Sequence, residues 1–235
     1  MQPAPHPENE TLRIAALHAL GVLDTEPEPA FDALVRVASL ICGVPISLIS
    51  LVDTERQWFK ANEGLHEASE TARDIAFCSH AILEDDVFEV ADALKDLRFV
   101  DNPLVTGNPG IRFYAGAPLV LSDGSRVGTL CVIDRVPRQM NDMQREVLRC
   151  LARAAVQALE GRHGIREANR ISSELRDSEA WFRALSDGSP HGVFYADLQG
   201  ACTYTNSRWQ DIYGLTSEQS LGRGWMRGMR AGDKA

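Results

Sequence analysis

The sequence predicts an α+β fold, in which helices pack on an antiparallel β-sheet. Residues 112–134, RFYAGAPLVLSDGSRVGTLCVID, consist of two apolar runs on either side of an Asp-Gly pair. Asp-Gly between two such runs is typical of a tight β-hairpin, because glycine adopts the positive φ that the turn requires. Helical spacing of apolar residues precedes and follows this hairpin, and a helix-and-loop insertion of about fifty residues separates it from the earlier strand pattern.

Two amphipathic helices are predicted near the N-terminus. Residues 1–10 are polar and rich in proline, and we predict that they are disordered. Residues 11–20 carry apolar side chains at helical spacing, and Gly21 follows as a stop signal. Residues 31–42 show the same spacing and end before Gly43, so they form the second predicted helix.

Strands and a short helix follow along the chain. Residues 46–52 are apolar almost throughout, which predicts a strand that is covered on both faces. Residues 57–61 form its predicted hairpin partner, and residues 62–73 form a polar loop. We predict a short helix at residues 77–83 and a short strand at residues 87–91, with loops between them and the hairpin.

The two strands of the hairpin contain unusually small side chains. One strand carries Ala115, Gly116 and Ala117, and its partner carries Gly128 and Thr129. Small residues in the middle of a sheet indicate that another element packs closely there. We expect that element to be either a helix or a bound molecule.

From residue 141 the apolar residues recur at alternating spacings of three and four, which is a heptad pattern. Its apolar seam positions are Val147, Leu151, Ala154, Ala158, Ile165, Ala168, Leu175 and Phe182. This pattern predicts a homodimer through the 141–185 helix, with residues 161–180 as a coiled-coil linker. Gly161 and Gly164 weaken the pattern. They leave a second interpretation open, in which residues 141–160 pack on the chain's own sheet and a separate linker helix follows.

Two motifs resemble the GAF domain, a fold that senses small molecules. RFYAGxPL followed by VGTLCVID, within residues 112–134, resembles its central hairpin. FCxHAI at residues 77–82 resembles a branch of the family that carries no chromophore. We therefore assign residues 11–160 to a GAF-type domain, and the resemblance implies a ligand pocket against the hairpin.

The resemblance supplies the candidates for this pocket. They are Phe77, Cys78, His80, Asp92, Arg98, Arg112, Tyr114 and Cys131. Phe77 and Cys78 are expected to point into the pocket, and His80 to help seat the helix. A small pocket also needs a few polar groups to orient its ligand, and Arg112 and Tyr114 are placed to supply them. We predict no catalytic residue and no metal site.

Two ligand classes of GAF domains do not match this sequence. Where a GAF domain attaches a bilin, its Cys-His helix lies just before the central hairpin, and residues 103–110 at that place contain neither residue. The Asn-Lys-x-x-x-Phe-x-x-x-Asp-Glu signature of cyclic-nucleotide-binding GAF domains is also absent from the sequence. We therefore expect neither bilin nor cyclic nucleotide, and the ligand is an unidentified small molecule.

Residues 181–235 resemble the N-terminal half of a PAS domain. The matching signals are Asp197-x-x-Gly200 in a hairpin, Tyr204-x-Asn206 at a strand end, and LGxxW at residues 221–225. A whole domain of this type needs further strands. The resemblance therefore implies a partial α/β unit after the long helix.

Together the two resemblances imply the sensory region of a bacterial signalling protein of the histidine kinase or diguanylate cyclase type. We predict a sensory module and not an enzyme. It would bind a small molecule or sense redox state, and relay the signal through a dimeric helix to an output domain outside this sequence. Two alternatives stay open: a GAF-fold thiol-dependent reductase that uses Cys78 and Cys131, and a dimerisation module without ligand.

Composition limits the partners and the compartment. The net charge of −9 argues against nucleic acid and against an anionic membrane surface, since both require a basic patch. The sequence shows no signal peptide and no apolar run long enough to span a bilayer, so we expect a cytoplasmic protein. Its five cysteines are scattered without close pairs, which indicates reduced thiols and neither a disulfide framework nor a zinc site.

Overall fold

A computed structural model describes residues 1–65 and 68–228, and the chain divides into two units, Met1–Arg166 and Glu167–Ala235. The first unit contains α1 (Glu10–Ala19), α2 (Pro29–Cys42), β1 (Ile46–Val52), β2 (Arg56–Glu63), β3 (Glu70–Ala72), α3 (Phe77–Ala81), β4 (Phe88–Val90), α4 (Pro103–Thr106), β5 (Phe113–Val120) and β6 (Arg126–Asp134). The long helix α5 (Asp142–Asp187) begins in the first unit and ends in the second. The second unit also contains β7 (Phe194–Ala196), β8 (Cys202–Thr205), α6 (Ser207–Tyr213) and α7 (Ser217–Ser220).

Six antiparallel strands form the sheet of the first unit, in the order β3-β2-β1-β6-β5-β4. The predicted hairpin is β5 and β6, and its turn is closed by a hydrogen bond from Leu121 N to Ser125 O of 2.9 Å. Gly124 has a φ of +86°, as the Asp-Gly turn requires. Every residue of β1 is buried, because both faces of this central strand are covered. The predicted α+β class is confirmed.

The two faces of the sheet have separate cores. On one face, α1, α2 and the start of α5 pack with the strands, and Leu17, Phe31 and Leu148 are buried there. On the other face, α3, α4 and the connecting loops cover the sheet, and Phe77 and Tyr114 are buried there. Because successive side chains of a strand point to opposite faces, strands β1, β2, β5 and β6 contribute to both cores.

The structure differs from the sequence prediction where short elements carry little periodicity. The polar loop predicted at residues 62–73 contains the end of β2 and the edge strand β3, whose Glu70 pairs with Trp58. A three-residue strand of sequence Glu-Thr-Ala shows no apolar alternation, so no pattern reveals it. The predicted helix at residues 77–83 ends earlier, at Ala81, and α4 forms within a predicted connector.

The N-terminal segment, whose disorder stays a prediction, contacts the segment around α3 and α4. Gln2 N donates a hydrogen bond of 3.2 Å to Arg98 O, and Gln2 O accepts one of 3.1 Å from His80 Nε2. The N-terminal amine forms an ion pair with Asp101. These partners lie far away in the sequence, so the composition of residues 1–10 does not reveal them.

Helix α5 runs without interruption through Gly161 and Gly164. Its first turns face the sheet through a stripe of buried side chains: Leu148, Ala152, Ala155, Val156 and Leu159. The predicted seam residues Val147 and Ala154 are half-buried beside this stripe. The interpretation in which residues 141–160 pack on the chain's own sheet therefore describes this part, although no separate helix follows it.

In the second unit, β7 and β8 form an antiparallel pair next to α6 and α7. The fully buried Asn206 organises this unit. Its Oδ1 accepts hydrogen bonds of 2.8 Å from Val193 N and Trp209 N, and the latter caps α6. The PAS resemblance stays a prediction, and residues 229–235 of that predicted domain lie outside the described residues.

A buried ionic cluster joins α1 to the β1–β2 turn and to the chain after β3. Glu10 accepts hydrogen bonds of 2.8 Å from Arg13 Nε and 2.6 Å from Arg73 Nη1. Arg13 is 1% exposed and also donates to Val52 O at 2.6 Å. Burial by itself raises the pKa of Glu10, but the two guanidinium groups outweigh it and lower the pKa to about 2.

We expect Glu10→Gln to lower the free energy of unfolding by on the order of 2 kcal/mol at pH 7. Because the folded-state pKa is depressed from 4.5 to about 2, the carboxylate stabilises fully above 4.5 and its contribution disappears as the pH falls towards 2. Urea denaturation should therefore show the difference from wild type reduced to about half at pH 3. The exposed Glu8→Gln serves as control, and an equal difference at both pH values would contradict the assignment.

Gly116 on β5 leaves room for the ring of Tyr114. A Cβ at position 116 would lie 2.9 Å from Tyr114 Cζ and closer still to the hydroxyl. We expect Gly116→Ala to cost about 1–3 kcal/mol of unfolding free energy, because the buried ring must shift. In the same denaturation experiment, Gly161→Ala should stabilise the protein by up to ~1 kcal/mol, since nothing lies within 4 Å of that position. Equal effects of the two substitutions would refute this account.

Candidate functional site

The candidate site lies between α3 and the face of the sheet opposite α5. Strand β6 presents Thr129 and Cys131 on this face, since residues two apart in a strand share a face. Tyr114 reaches the same place from β5, and α3 supplies Phe77 and Cys78. Gly116 pairs directly with Cys131 across the two strands. Its missing side chain allows the Tyr114 ring to lie flat over the sheet.

Two thiols meet at the centre of this site. Cys78 Sγ lies 4.0 Å from Cys131 Sγ, although the residues are 53 positions apart in the sequence. The Thr129 hydroxyl donates to Cys78 Sγ at 3.0 Å, and the Tyr114 hydroxyl donates to it at 3.2 Å. The Ser50 hydroxyl, from the neighbouring strand, is buried without a hydrogen bond of normal geometry. Cys78 is therefore a buried sulfur among hydroxyl donors.

This environment separates the acidities of the two thiols. Burial by itself raises the pKa of Cys78, but the Cys131 thiol and the surrounding hydroxyl groups outweigh it and lower the pKa to about 7. The nearby Cys78 and burial raise the pKa of Cys131 well above its ordinary value. Burial also raises the pKa of Tyr114 well above its ordinary value, and the neighbouring Cys78 and Cys131 raise it further. The site thus favours a thiolate at Cys78, with Cys131 and Tyr114 protonated.

An aromatic cluster surrounds the thiols. The rings of Phe77 and Phe99 stack with centroids 4.0 Å apart, and Phe77 and Tyr114 stack at 5.2 Å. His80 meets the edge of Phe99 at 4.9 Å, at the outer side of the cluster. Burial lowers the pKa of His80 below its ordinary value. His80 is therefore neutral at pH 7 and joins α3 to the N-terminal segment.

A small cavity of about 30 Å³ adjoins Cys78. Apolar and aromatic side chains from several elements form most of its wall: Ile46, Leu48, Phe59, Leu65, Phe77, Leu104, Pro109, Ile111, Tyr114 and Ile133. Two polar side chains, Gln57 and Thr71, complete the lining. Gln57 Oε1 and Thr71 Oγ1 are buried without a hydrogen-bond partner. Because buried polar atoms are normally paired, these two atoms are available to a molecule in the cavity.

The structure brings together part of the predicted site. Phe77, Cys78, Tyr114 and Cys131 are in mutual contact, and His80 lies at the edge of the cluster. The predicted site residues Asp92, Arg98 and Arg112 lie elsewhere, in ion pairs. Arg112 Nη2 bonds Asp92 Oδ1 at 2.9 Å, whereas Arg98 bonds Asp96 and covers the ring of Phe88.

Ion pairing thus accounts for these polar candidates. Sequence reasoning missed four polar side chains of the site: Ser50, Gln57, Thr71 and Thr129. The signal for Thr129 was available, because it lies two residues before Cys131 on a strand. No comparable signal exists for Gln57 and Thr71, which face each other across β2 and the unpredicted β3.

Two further findings concern the described part of the chain. Residues 1–65 and 68–228 contain no group of three or more His, Cys, Asp or Glu side chains arranged to hold a metal ion. Within the same ranges, no helix combines the length and the apolar character needed to cross a bilayer.

Comparison with known proteins decides the family. The GAF domain family matches residues 26–159. The chain belongs to this family. Its GAF domain resembles the solved blue-light absorbing form of the Thermosynechococcus elongatus PixJ GAF domain, with a TM-score of 0.50 over 61% of this chain and 89% of that one. At 16% sequence identity, this likeness shows a common fold only.

One relative and one further solved structure are also similar to this chain. A cyclic di-GMP phosphodiesterase of Pseudomonas aeruginosa is 40% identical over 202 residues, which is 84% of this chain. The chain spans about a third, 34%, of the length of that relative. A free methionine-R-sulfoxide reductase of Neisseria meningitidis, solved with its substrate, has a TM-score of 0.49 and 16% identity over 70% of this chain and 98% of the reductase.

The hydroxyl of Thr129 is a direct test of the Cys78 environment. Thr129→Val removes the 3.0 Å donor at nearly constant shape, so we expect the pKa of Cys78 to rise. The loss of one hydrogen bond, about 0.5–1.5 kcal/mol, corresponds to a shift of up to ~1 pH unit. The Cβ chemical shift of Cys78, followed by NMR against pH, measures this change.

The matched control for this titration is Thr71→Val. Thr71 lines the same cavity, but its hydroxyl has no hydrogen-bond partner. This substitution should leave the pKa of Cys78 unchanged. An unchanged titration in Thr129→Val, or equal shifts in both variants, would show that the Thr129 hydroxyl does not stabilise the thiolate.

Proposed function

We propose that this chain is the sensory and regulatory part of a bacterial signalling protein that controls cyclic di-GMP turnover. The observation that supports this proposal is the 40% identity of 84% of the chain, GAF domain included, to a cyclic di-GMP phosphodiesterase. GAF domains usually regulate a partner domain and do not carry out its chemistry. The output domain would lie outside these 235 residues, and we favour a phosphodiesterase over a histidine kinase for it.

The proposed input is the site around Cys78. Its cavity is narrow, so an entering ligand must be small or must displace α4, a single helical turn whose Leu104 forms part of the wall. The apolar lining favours an apolar body. The unpaired Gln57 Oε1 favours a ligand that carries a hydrogen-bond donor. A ligand that binds one arrangement of α4 better than another shifts the population between them.

The proposed relay is α5, acting between two copies of the chain. Its first turns pack on the sheet of the GAF domain, so a change in the sheet reaches the helix directly. Further along, the seam residues Ile165 and Leu175 are 66% and 60% exposed. The heptad pattern pairs these apolar residues with the same residues of a second copy. We therefore propose a parallel homodimer as the signalling form.

We expect the chain to be a dimer in solution and Leu175→Glu to convert it to a monomer. A glutamate at a seam position lies opposite the same glutamate of the second copy. Two carboxylates that are removed from water and held close together repel each other, which destabilises the dimer. Ser173→Glu adds the same charge away from the seam and should leave the dimer intact. Analytical ultracentrifugation over a range of concentrations measures both variants. A wild-type chain that stays monomeric at high concentration would disprove the relay.

A chimera tests the regulatory role itself. We would replace the aligned region of the Pseudomonas phosphodiesterase with this chain and measure cyclic di-GMP hydrolysis. Leu104→Phe narrows the cavity and should change the hydrolysis rate, whereas Leu97→Phe, at a side chain that is 89% exposed, should not. Equal rates in all three chimeras would contradict the sensory role. Hydrolysis by the isolated chain would show that it is an enzyme.

One observation favours a second candidate, a thiol-dependent reductase. The distance of 4.0 Å between Cys78 and Cys131, with a lowered pKa at Cys78, is also what a dithiol enzyme requires. The discriminating assay is turnover of methionine sulfoxide with a thiol reductant. The Cys78→Ser, Cys131→Ser double variant should abolish turnover by an enzyme. If the chain is a sensor, the wild-type chain itself should show no turnover.

A further inference from the structure

The two thiols of the site differ in chemical character. The hydroxyl groups of Thr129 and Tyr114 donate to Cys78 Sγ and stabilise its thiolate. The pKa of Cys131 is raised instead, by the neighbouring Cys78 and by burial. A thiolate is the nucleophilic form of cysteine, and a second thiol in contact can react with the oxidised first one. The pair therefore combines an attacking sulfur with a resolving sulfur.

The cavity gives a small oxidant access to one of these sulfurs. Cys78 forms part of its wall, and 30 Å³ accommodates a molecule of about two heavy atoms. The unpaired Gln57 Oε1 can accept a hydrogen bond, and the unpaired Thr71 hydroxyl can donate or accept one. A hydroperoxide has an O–H donor and oxygen acceptors, so it could serve as the hydrogen-bond partner that these two groups lack. It is also small enough for the space.

We propose that Cys78 and Cys131 form a reversible disulfide when a hydroperoxide enters the cavity beside Cys78. The geometry requires a small movement only. The sulfurs are 4.0 Å apart and a disulfide bond is about 2 Å long, so they must approach by about 2 Å. Cys78 lies on a five-residue helix between loops, whereas Cys131 is held in the middle of the sheet. We therefore expect α3 to move towards β6.

The reaction proceeds in two balanced steps. In the first, the Cys78 thiolate attacks the outer oxygen of the peroxide and the O–O bond breaks. The leaving hydroxide or alkoxide takes up a proton, and Cys78 becomes a sulfenic acid. In the second, Cys131 loses its proton and its sulfur attacks Cys78 Sγ, so that the S–O bond breaks and water leaves. One peroxide is reduced, two thiols are oxidised, and a thiol reductant reverses the change.

As an input to signalling, this switch depends on the proposed sensory function, whereas its chemistry does not. Closing the bond would draw α3 against the strand pair that packs on α5 from its other face. It would also shift the Phe77 ring, which stacks on both Phe99 and Tyr114. The disulfide would thus replace a non-covalent contact by a covalent bond at the wall of the cavity.

The test uses the full chain, reduced and then treated with one equivalent of hydrogen peroxide. Peptide mapping by mass spectrometry should find the Cys78 and Cys131 peptides joined, with the loss of two hydrogen atoms, and dithiothreitol should separate them. In Cys131→Ser the resolving thiol is missing. Unfolding the oxidised variant in denaturant that contains dimedone should then label a sulfenic acid at Cys78 about ten times more than at Cys42, whose pKa is raised by burial.

Three controls separate the switch from general oxidation. Cys42→Ser should leave the joined peptides unchanged, and Thr129→Val should slow their formation. The wild-type rate should increase as the pH passes about 7; the titratable groups that face Cys78 are Cys131 from β6 and Tyr114 from β5. Joining of Cys78 to another cysteine, or oxidation confined to the exposed Cys150, would overturn the proposal.

The phosphodiesterase chimera separates this inference from the proposed function. If peroxide joins the two cysteines and hydrolysis stays constant, the switch is real but it is not a signalling input. If no disulfide forms and hydrolysis still responds to Leu104→Phe, the switch is refuted and the sensory role stands.

Discussion

The close approach of α3 to the central hairpin is the constraint on which the rest of the site depends. It is possible because Gly116 has no side chain, so the Tyr114 ring can lie across β5 and deliver its hydroxyl to Cys78. The same approach brings the Cys78 sulfur within 3.0 Å of the Thr129 hydroxyl and within 4.0 Å of Cys131. The Cys131 thiol and the hydroxyl groups around the buried sulfur outweigh the cost of its burial, so the pKa of Cys78 is lowered.

The sheet connects this site to the long helix without any intermediate element. Cys131 and Val132 are neighbours in β6, yet they belong to different cores, since Cys131 lies in the core with α3 and Val132 lies in the core with α1, α2 and the start of α5. A strand that is packed on both faces cannot shift on one face without disturbing the other, because protein interiors are close-packed. This arrangement is what the proposed sensory function requires.

The sequence predicts the large features of the fold well and the small ones poorly. The hairpin, the buried strand β1 and the helices α1 and α2 follow from apolar periodicity and glycine stop signals, which act locally. Strand β3 and helix α4 are three and four residues long, too short for periodicity to show, and the contacts of Gln2 depend on partners about eighty and a hundred residues away. In the first turns of α5, the residues of the heptad seam and those of the sheet-facing stripe lie next to each other in the sequence. Periodicity alone could not decide between them.

The sequence by itself determined the α+β class and the GAF motifs, and it named Cys78, Tyr114 and Cys131 as candidates, because these depend on local patterns and on the residues of the motifs. Only the tertiary structure decided which of the eight candidates meet. It placed Asp92, Arg98 and Arg112 in ion pairs and added Ser50, Gln57, Thr71 and Thr129 to the site. The physical reason is that a site of this kind is assembled across strands from distant parts of the chain. Strand register and helix packing, which no local pattern specifies, bring its atoms within bonding distance.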